Sequence, residues 1–426
     1  MNDVPYSSPR AYLASLELFG IKLGLDQIRG LVAGLGHPDR TFRSVIVAGT
    51  NGKGSVTAMV ERALRAGGYR TGRYISPHLV RLEERFVVDG REVAAAEVET
   101  AIEAVREAAA LLPLPPSFFE ATTAIAFEVF RRQRVEIAVL EVGLGGRLDA
   151  TNVVSPIGAI ITAIDFDHEQ YLGDSLEAIA AEKAGVIKAG RPVVLGRNPA
   201  AVQGVIRSTA ESVAAPLIYA PDDVALDVAL VNGRTTATIV TPRGRYEGVR
   251  LALRGRHQLD NAVTAIRFLE TISGTQGASI PAEAIRTGLE ETEWPARLEI
   301  RSWRGTEIVI DGAHNPAGAR ALAAYLREAY GQRLPMVVGA MRDKAIDALV
   351  DALADSASRF VFTSVDSPRA APAADLAAVA ARVAPHVPAI AGGAPMAALA
   401  TILESPGPVV VAGSLYLCGE ILAGIS

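Results

Sequence analysis

Between the apolar run Val45–Ala48 and a stretch in which Val56, Met59, Val60, Ala63 and Leu64 share one helical face stands Gly49-Thr50-Asn51-Gly52-Lys53-Gly54-Ser55. A buried strand, a glycine-rich turn and a helix that stops at Gly67-Gly68 form a phosphate-binding unit. Its backbone N–H groups and the positive helix end can wrap a polyphosphate while Lys53 neutralises charge. The unit also limits the fold, because such a strand belongs in a parallel sheet whose helices cross back over it. The spacing departs from the usual phosphate loop: Val47 stands where the first glycine belongs, and Gly54 separates Lys53 from Ser55.

The rest of the chain agrees with an α/β reading. Ile137–Val142 and Ile157–Ile164 are short apolar runs of the kind parallel sheets require. Ser8-Pro9 opens a helix with Leu13, Leu16 and Phe19 on one side, stopping at Gly20. Leu25, Ile28, Val32 and Leu35 mark a second helix. Between about 217 and 253, alternation of Thr236, Thr238 and Val240 with Ala237 and Ile239 predicts a small antiparallel excursion. From Glu307 the alternation of strand and helix restarts, with strands at Ile308–Ile310, Met336–Gly339, Phe360–Phe362 and Val409–Ala412. The expected architecture is α/β, a P-loop parallel-sheet ATPase domain over residues 1–293 and a smaller Rossmann-like domain over 294–426. Trp294-Pro295 marks the division, since proline breaks the preceding helix. A chain of 426 residues suits two cores with a cleft between them.

Three further places carry chemistry. Glu141 ends an apolar strand before Gly143-Leu144-Gly145-Gly146 and is placed to hold Mg²⁺ near the phosphates. Asp165-Phe166-Asp167-His168 follows the next strand, at the corresponding sheet edge. Along a helix over Ser175–Lys188, Lys183 falls on the apolar stripe of Leu176, Ile179, Ala180 and Ile187. Either it snorkels past the core edge, or it is buried with a lowered pKa.

Composition excludes some partners. With 42 basic and 47 acidic side chains, the net charge of −5 offers no global positive field for nucleic acid or anionic lipid. The single cysteine, Cys418, allows no internal disulfide and no cysteine-based metal site. The polar N-terminus lacks a secretory pattern. Pro408–Ile425 reads as a buried strand turning into a helix, without a membrane span.

Taken in order, Gly49–Ser55, Ser76-Pro77-His78-Leu79 with Glu84-Arg85, Phe119-Glu120, Gly145–Asn152, His257-Gln258 with Asn261, Trp294–Glu299 and Asp311–Pro316 resemble the dihydrofolate synthase and folylpolyglutamate synthase family of the Mur ligase superfamily. The resemblance implies an ATP-dependent carboxylate–amine ligase that joins L-glutamate to dihydropteroate and/or (tetrahydro)folate polyglutamates through an acyl phosphate. ATP contacts are implied for Gly49, Thr50, Asn51, Gly52, Lys53, Gly54, Ser55, Asn261, Arg297 and Asp311. Mg²⁺ would be disposed by Ser55, Ser76, Glu141, His168 and a carbamylated Lys183, with catalytic roles for Lys53, His168, Lys183 and His314. Ile21, Lys22, Leu23, Phe119, Glu120, Leu148, Asp149 and Ala150 would line the pterin or folate pocket. A carboxylate at 149 suits it, since it can accept paired hydrogen bonds from an aminopyrimidine edge. A cytoplasmic monomer with small-molecule partners is expected.

The sequence departs from the family pattern at Asp165-Phe166, an added acid near the metal site, and at Ala296, where a glycine is common. Glu83, where asparagine is frequent, is expected on a mobile loop. Three rivals stay open. Another Mur-type ligase acting on a UDP-linked peptide would need an extra N-terminal domain, and only 48 residues precede Gly49. A P-loop kinase would need no amino acid. A non-catalytic nucleotide-binding regulator has no use for Lys53, Glu141 and His168 together.

Overall fold

The computed structural model describes residues 8–20, 22–231, 233–275, 277–403 and 407–425, so Ile21 of the expected pterin pocket lies outside the described residues. Eight strands build the first sheet: β1 (Arg43–Ala48), β2 (Thr71–Tyr74), β3 (Phe86–Val88), β4 (Arg91–Glu92), β5 (Ile137–Glu141), β6 (Gly158–Ile161), β7 (Val193–Leu195) and β8 (Leu217–Tyr219). Their spatial order is β4-β3-β2-β5-β1-β6-β7-β8, parallel from β2 to β8, with β3 and β4 antiparallel at one edge. The apolar run of β1 is continuous because both of its faces are buried. Val45 and Val47 enter a core shared with Val56, Met59 and Val60 of the Lys53–Ala66 helix. Ile46 and Ala48 enter the opposite core with Ile179 and Ala180.

This order fixes where a ligand can bind. β5 lies on one side of β1 and β6 on the other, so the chain reverses direction across the sheet at β1, and beyond the carboxyl ends of these three strands is where such a sheet takes its ligand.

The alternating stretch forms an antiparallel sheet of β9 (Ala225–Val231), β10 (Arg234–Val240) and β11 (Arg245–Arg250). Its Ala237 and Ile239 are buried against the first sheet's core. A six-stranded sheet follows: β12 (Glu299–Trp303), β13 (Thr306–Ile310), β14 (Leu334–Val338), β15 (Ala357–Phe362), β16 (Ala389–Ala391) and β17 (Val409–Ala412), ordered β12-β13-β17-β14-β15-β16. Only β12 is antiparallel.

Some expected bounds shift. The helix bearing Lys183 runs only over Leu176–Ala184, because at Gly185 the chain meets Arg147 so closely that a Cβ would lie 2.3 Å from the Arg147 Cβ. The 157–164 strand shortens to Gly158–Ile161, since Ala163 turns to accept the Thr50 and Asn51 N–H groups at 2.8 and 3.1 Å. Glu83 is not on a free loop: in the Leu82–Arg85 turn it is largely buried against Arg10, which also holds Glu99 at 2.8 Å. Among the described residues, no helix is long and apolar enough to cross a membrane.

Candidate active site

The phosphate loop is pinned on three sides. Besides the two hydrogen bonds to Ala163, the Thr162 hydroxyl donates to Asn51 O at 2.8 Å, and the Thr50 hydroxyl donates to Asp165 O at 3.0 Å. Gly52 turns the chain at φ +88° into the 14-residue helix Lys53–Ala66. The first N–H groups of such a helix have no partner within it, so its start can take an anion. Asn261 packs against Gly52, and its amide is oriented by Gln258 Oε1 at 2.9 Å.

Two lysines meet on one carbonyl. Lys53 Nζ donates to Gly49 O at 3.1 Å and Thr50 O at 3.2 Å, and Lys183 Nζ donates to the same Gly49 O at 2.9 Å. Lys183 is buried, which closes the snorkelling alternative. Burial, helped by the Lys53 charge and opposed by Asp167 and Asp149, lowers its pKa to about 7. A sizeable share is therefore a neutral, nucleophilic amine near neutral pH.

Glu141 is buried at the end of β5, beside Val47 in register. Burial raises its pKa against the pull of Lys53, Arg297, the Ser76 backbone N–H and Arg73. Yet among the described residues no cation comes within ion-pair distance of it. No group of three His, Cys, Asp or Glu side chains converges into a ready-made metal cage there or elsewhere among the described residues.

Across the crevice, Asp167 gathers the second sheet. Its carboxylate accepts Lys344 Nζ at 2.6 Å and Asn315 Nδ2 at 3.4 Å, with His314 Nε2 at 3.7 Å and His168 Nε2 at 3.9 Å. Asn315 also donates to Asn51 Oδ1 of the phosphate loop at 3.0 Å. Burial alone would raise the Asp167 pKa, but the neighbouring His314 and His168 imidazoles and the Lys344 ammonium hold it well below the usual carboxylate range. His168 is pushed down to about 4 by burial and by Lys344, Lys53 and His314, so at neutral pH its imidazole is uncharged and retains a lone pair. The Asp165 carboxylate lies 3.4 Å from Arg320 of the Pro316–Tyr330 helix, while its backbone O holds the Thr50 hydroxyl of the phosphate loop.

The linker completes the site. Ala296 and Leu298 sit in the left-handed region at φ +55° and +48°, flanking Arg297. The Asp311 carboxylate fastens this turn by accepting Leu298 N and Ala313 N, each at 2.9 Å. A positive φ explains why a glycine is common at 296, since a Cβ there costs about 1 kcal/mol. Elsewhere, a cavity of about 360 Å³ between Pro192, Pro242 and Arg243 opens at the far end of the His257–Ile272 helix from Asn261, and takes no part in this site.

Residues 118–269 match the Mur ligase middle domain, and residues 296–415 match the Mur ligase glutamate ligase domain. A dihydrofolate synthase/folylpolyglutamate synthase of Bacillus subtilis is 37% identical over 380 residues, covering 87% of this chain and 88% of its own. The chain belongs to the dihydrofolate synthase/folylpolyglutamate synthase family. Folylpolyglutamate synthase of Mycobacterium tuberculosis, solved with ADP, superposes with a TM-score of 0.89 at 31% identity, over 98% of this chain and 99% of that one. The Escherichia coli family member FolC, solved with DHPP and ADP, superposes at 0.88 with 28% identity, over 98% of each chain. This family member is an ATP-dependent ligase.

The residues expected around a pterin are placed less openly. Phe119 covers Gly143 and meets Tyr74 with ring centroids 6.1 Å apart. Leu148 is half-buried, Ala150 buried and Leu23 exposed. Lys22 is tied to Pro115 O at 3.3 Å. Glu120 closes a capping box with Ser117, accepting its N–H at 2.8 Å and its hydroxyl at 2.7 Å, so its carboxylate serves the helix start. Asp149 is saturated as well. One oxygen accepts Gly143 N and Leu144 N at 3.0 and 2.9 Å, the other Thr151 N at 2.9 Å and its hydroxyl at 2.5 Å. A direct pterin hydrogen bond requires one of these donors to give way.

Lys344 and Asn315 escaped the sequence reading as site residues. The available signal was position: Asp343-Lys344 follows the carboxyl end of β14, and Asn315 the carboxyl end of β13, where a parallel sheet carries its ligands.

Proposed function

We propose that this enzyme joins L-glutamate to dihydropteroate and/or to (tetrahydro)folate polyglutamates, working as a monomer. Residues 1–293 form the ATP-binding body and 294–426 the glutamate-ligase body. The observation that carries the ligase reading is the convergence of the phosphate loop, Glu141, His168 and Lys183 at one crevice beneath a clasp from the second sheet. A kinase needs no amino acid, whereas residues 296–415 match a glutamate ligase domain.

The donor set fits Mg²⁺. The Ser55 and Ser76 hydroxyls, the Glu141 carboxylate and the neutral His168 imidazole are few and mostly oxygen donors, as suits an ion bound jointly by protein and phosphates. Mg²⁺, when bound, supplies positive charge to the phosphate oxygens. Lys183, buried and partly neutral, can attack CO₂ through its amine and lose a proton, leaving a carbamate that adds a further anionic donor.

In the reaction, Lys53 and the first N–H groups of its helix hold the polyphosphate, with Asn261 on the Gly52 side and Arg297 reaching in from the linker. The substrate carboxylate attacks the γ-phosphate and ADP leaves. The amine of glutamate then displaces phosphate from the acyl phosphate, forming the amide. His314 and the Asp167–Lys344 pair position the second sheet and exclude water from the labile intermediate. Phe119, Leu148 and Ala150 form the apolar wall for the pterin, and Asp149 shapes it. Arg147-Leu148-Asp149 supports activity on both substrates. The test is coupled ADP release with dihydropteroate and with tetrahydrofolate, each with and without glutamate. ADP release that ignores glutamate would overturn the ligase reading, and activity on tetrahydrofolate alone would remove the dihydropteroate role of the Asp149 corner.

A further inference from the structure

The extra glycine between Lys53 and Ser55 has a physical cause outside the loop. A Cβ at position 54 would lie 2.4 Å from Trp294 Cζ2, 2.7 Å from Cε2 and 3.0 Å from Nε1. The edge of the indole therefore fills the volume that a side chain directly after the lysine would take. In the usual phosphate loop that volume belongs to a serine or threonine. Trp294 is itself braced. The Arg73 guanidinium lies over its ring at 5.2 Å, and Arg73 is one of the charges acting on Glu141. The indole packs on the core that includes Met59 and Ala63 of the phosphate-loop helix. The helix leading into the linker, Ala282–Glu290, is locked to that same helix, for a Cβ at Gly288 would lie 2.7 Å from both the Ala63 Cβ and Met59 O. Three residues beyond Trp294 stands Arg297.

We propose that Trp294 is a positioning residue for ATP: its indole replaces the missing side chain of position 54, sets the grip of the phosphate loop, and couples that grip to the linker carrying Arg297. This rests on the loop being the ATP site. The indole touches the loop backbone and Arg73, so its effect on the reaction passes through Lys53, Glu141 and Arg297.

A mutant cycle between Gly54 and Trp294 tests the coupling. Gly54→Ala in the parent should raise KM for ATP by about tenfold or more, because the new methyl collides with the indole. Trp294→Ala should raise KM for ATP several-fold and leave KM for glutamate within about twofold, a split that general loss of structure does not produce. In the Trp294→Ala background, Gly54→Ala should cost less than about threefold, since the space is then open. Trp303→Phe leaves Trp294 as the only indole, and its emission should shift when ADP is added. If wild-type protein binds no ADP by calorimetry, the ATP-site reading falls and this inference with it. If ADP binds but the Gly54→Ala defect is the same in both backgrounds, or the emission ignores ADP, the coupling alone is wrong.

Discussion

The strand end at Glu141 and the loop at Asp149 each carry a buried carboxylate, and the fold treats them in opposite ways. Glu141 is acted on by the Ser76 backbone and by the Lys53, Arg297 and Arg73 charges, with no cation within ion-pair distance among the described residues. Asp149 accepts four hydrogen bonds from its own loop. A buried acid short of partners holds back capacity for a ligand, whereas a saturated one maintains a turn. The same distinction separates Lys183, held by a single carbonyl, from Glu120, whose carboxylate closes a helix cap.

Mutations on the phosphate side should have the largest effect. Lys53→Ala should lower ADP release dependent on both folate substrate and glutamate by at least about 10³-fold; a coupled assay showing near-parental rates would sink the assignment. Lys183→Met should cost on the order of 10² in kcat. With a pKa near 7, the amine is about half neutral at pH 7 and about nine-tenths neutral at pH 8. Reactivation of CO₂-depleted enzyme at a fixed concentration of dissolved CO₂ should therefore be faster at pH 8 than at pH 6. A carbamate resonance from ¹³C-labelled CO₂ should appear in the parent and be absent in Lys183→Met.

The two carboxylates should respond in opposite directions. Asp149→Asn leaves backbone donors facing an amide and should lower stability by roughly 1–3 kcal/mol. Because that damages the loop itself, activity on dihydropteroate and on tetrahydrofolate should fall together. Loss confined to dihydropteroate would instead make Asp149 a direct ligand. Glu141→Gln removes a buried charge, so Tm should rise, by about 1 kcal/mol in stability, while activity collapses. The raised pKa sets the sign of its pH dependence: the cost of the charge is present above the folded-state pKa and vanishes as acid protonates Glu141. The gain in Tm should accordingly shrink as pH falls, which thermal scans at several pH values would reveal. The smallest effect is expected at Ala296→Gly, which relieves a positive φ and should add up to about 1 kcal/mol by denaturant melts with kcat unchanged. A loss of stability there would mean that the Cβ packs usefully in the second core.

Much was legible along the chain wherever local pattern decides. The apolar run of β1, the glycines of the loop and the alternation in β10 are imposed by burial and backbone geometry over a few residues, and they define strand, phosphate turn and antiparallel sheet without help from elsewhere. Glu141 and His168 could be placed because strand ends in a parallel sheet share one edge. Lys183 could be placed on the apolar stripe, but its burial could not be decided, since a lysine on such a stripe can snorkel or stay.

What only the tertiary structure decided is how partners are shared among distant residues. The four donors on Asp149, the two lysines on Gly49 O, the Asp167–Lys344 pair across 177 positions and the indole of Trp294 above Gly54 are all properties of the assembled crevice. A sequence shows which groups a chain carries. How a buried group is satisfied depends on which other groups the fold brings within hydrogen-bonding distance.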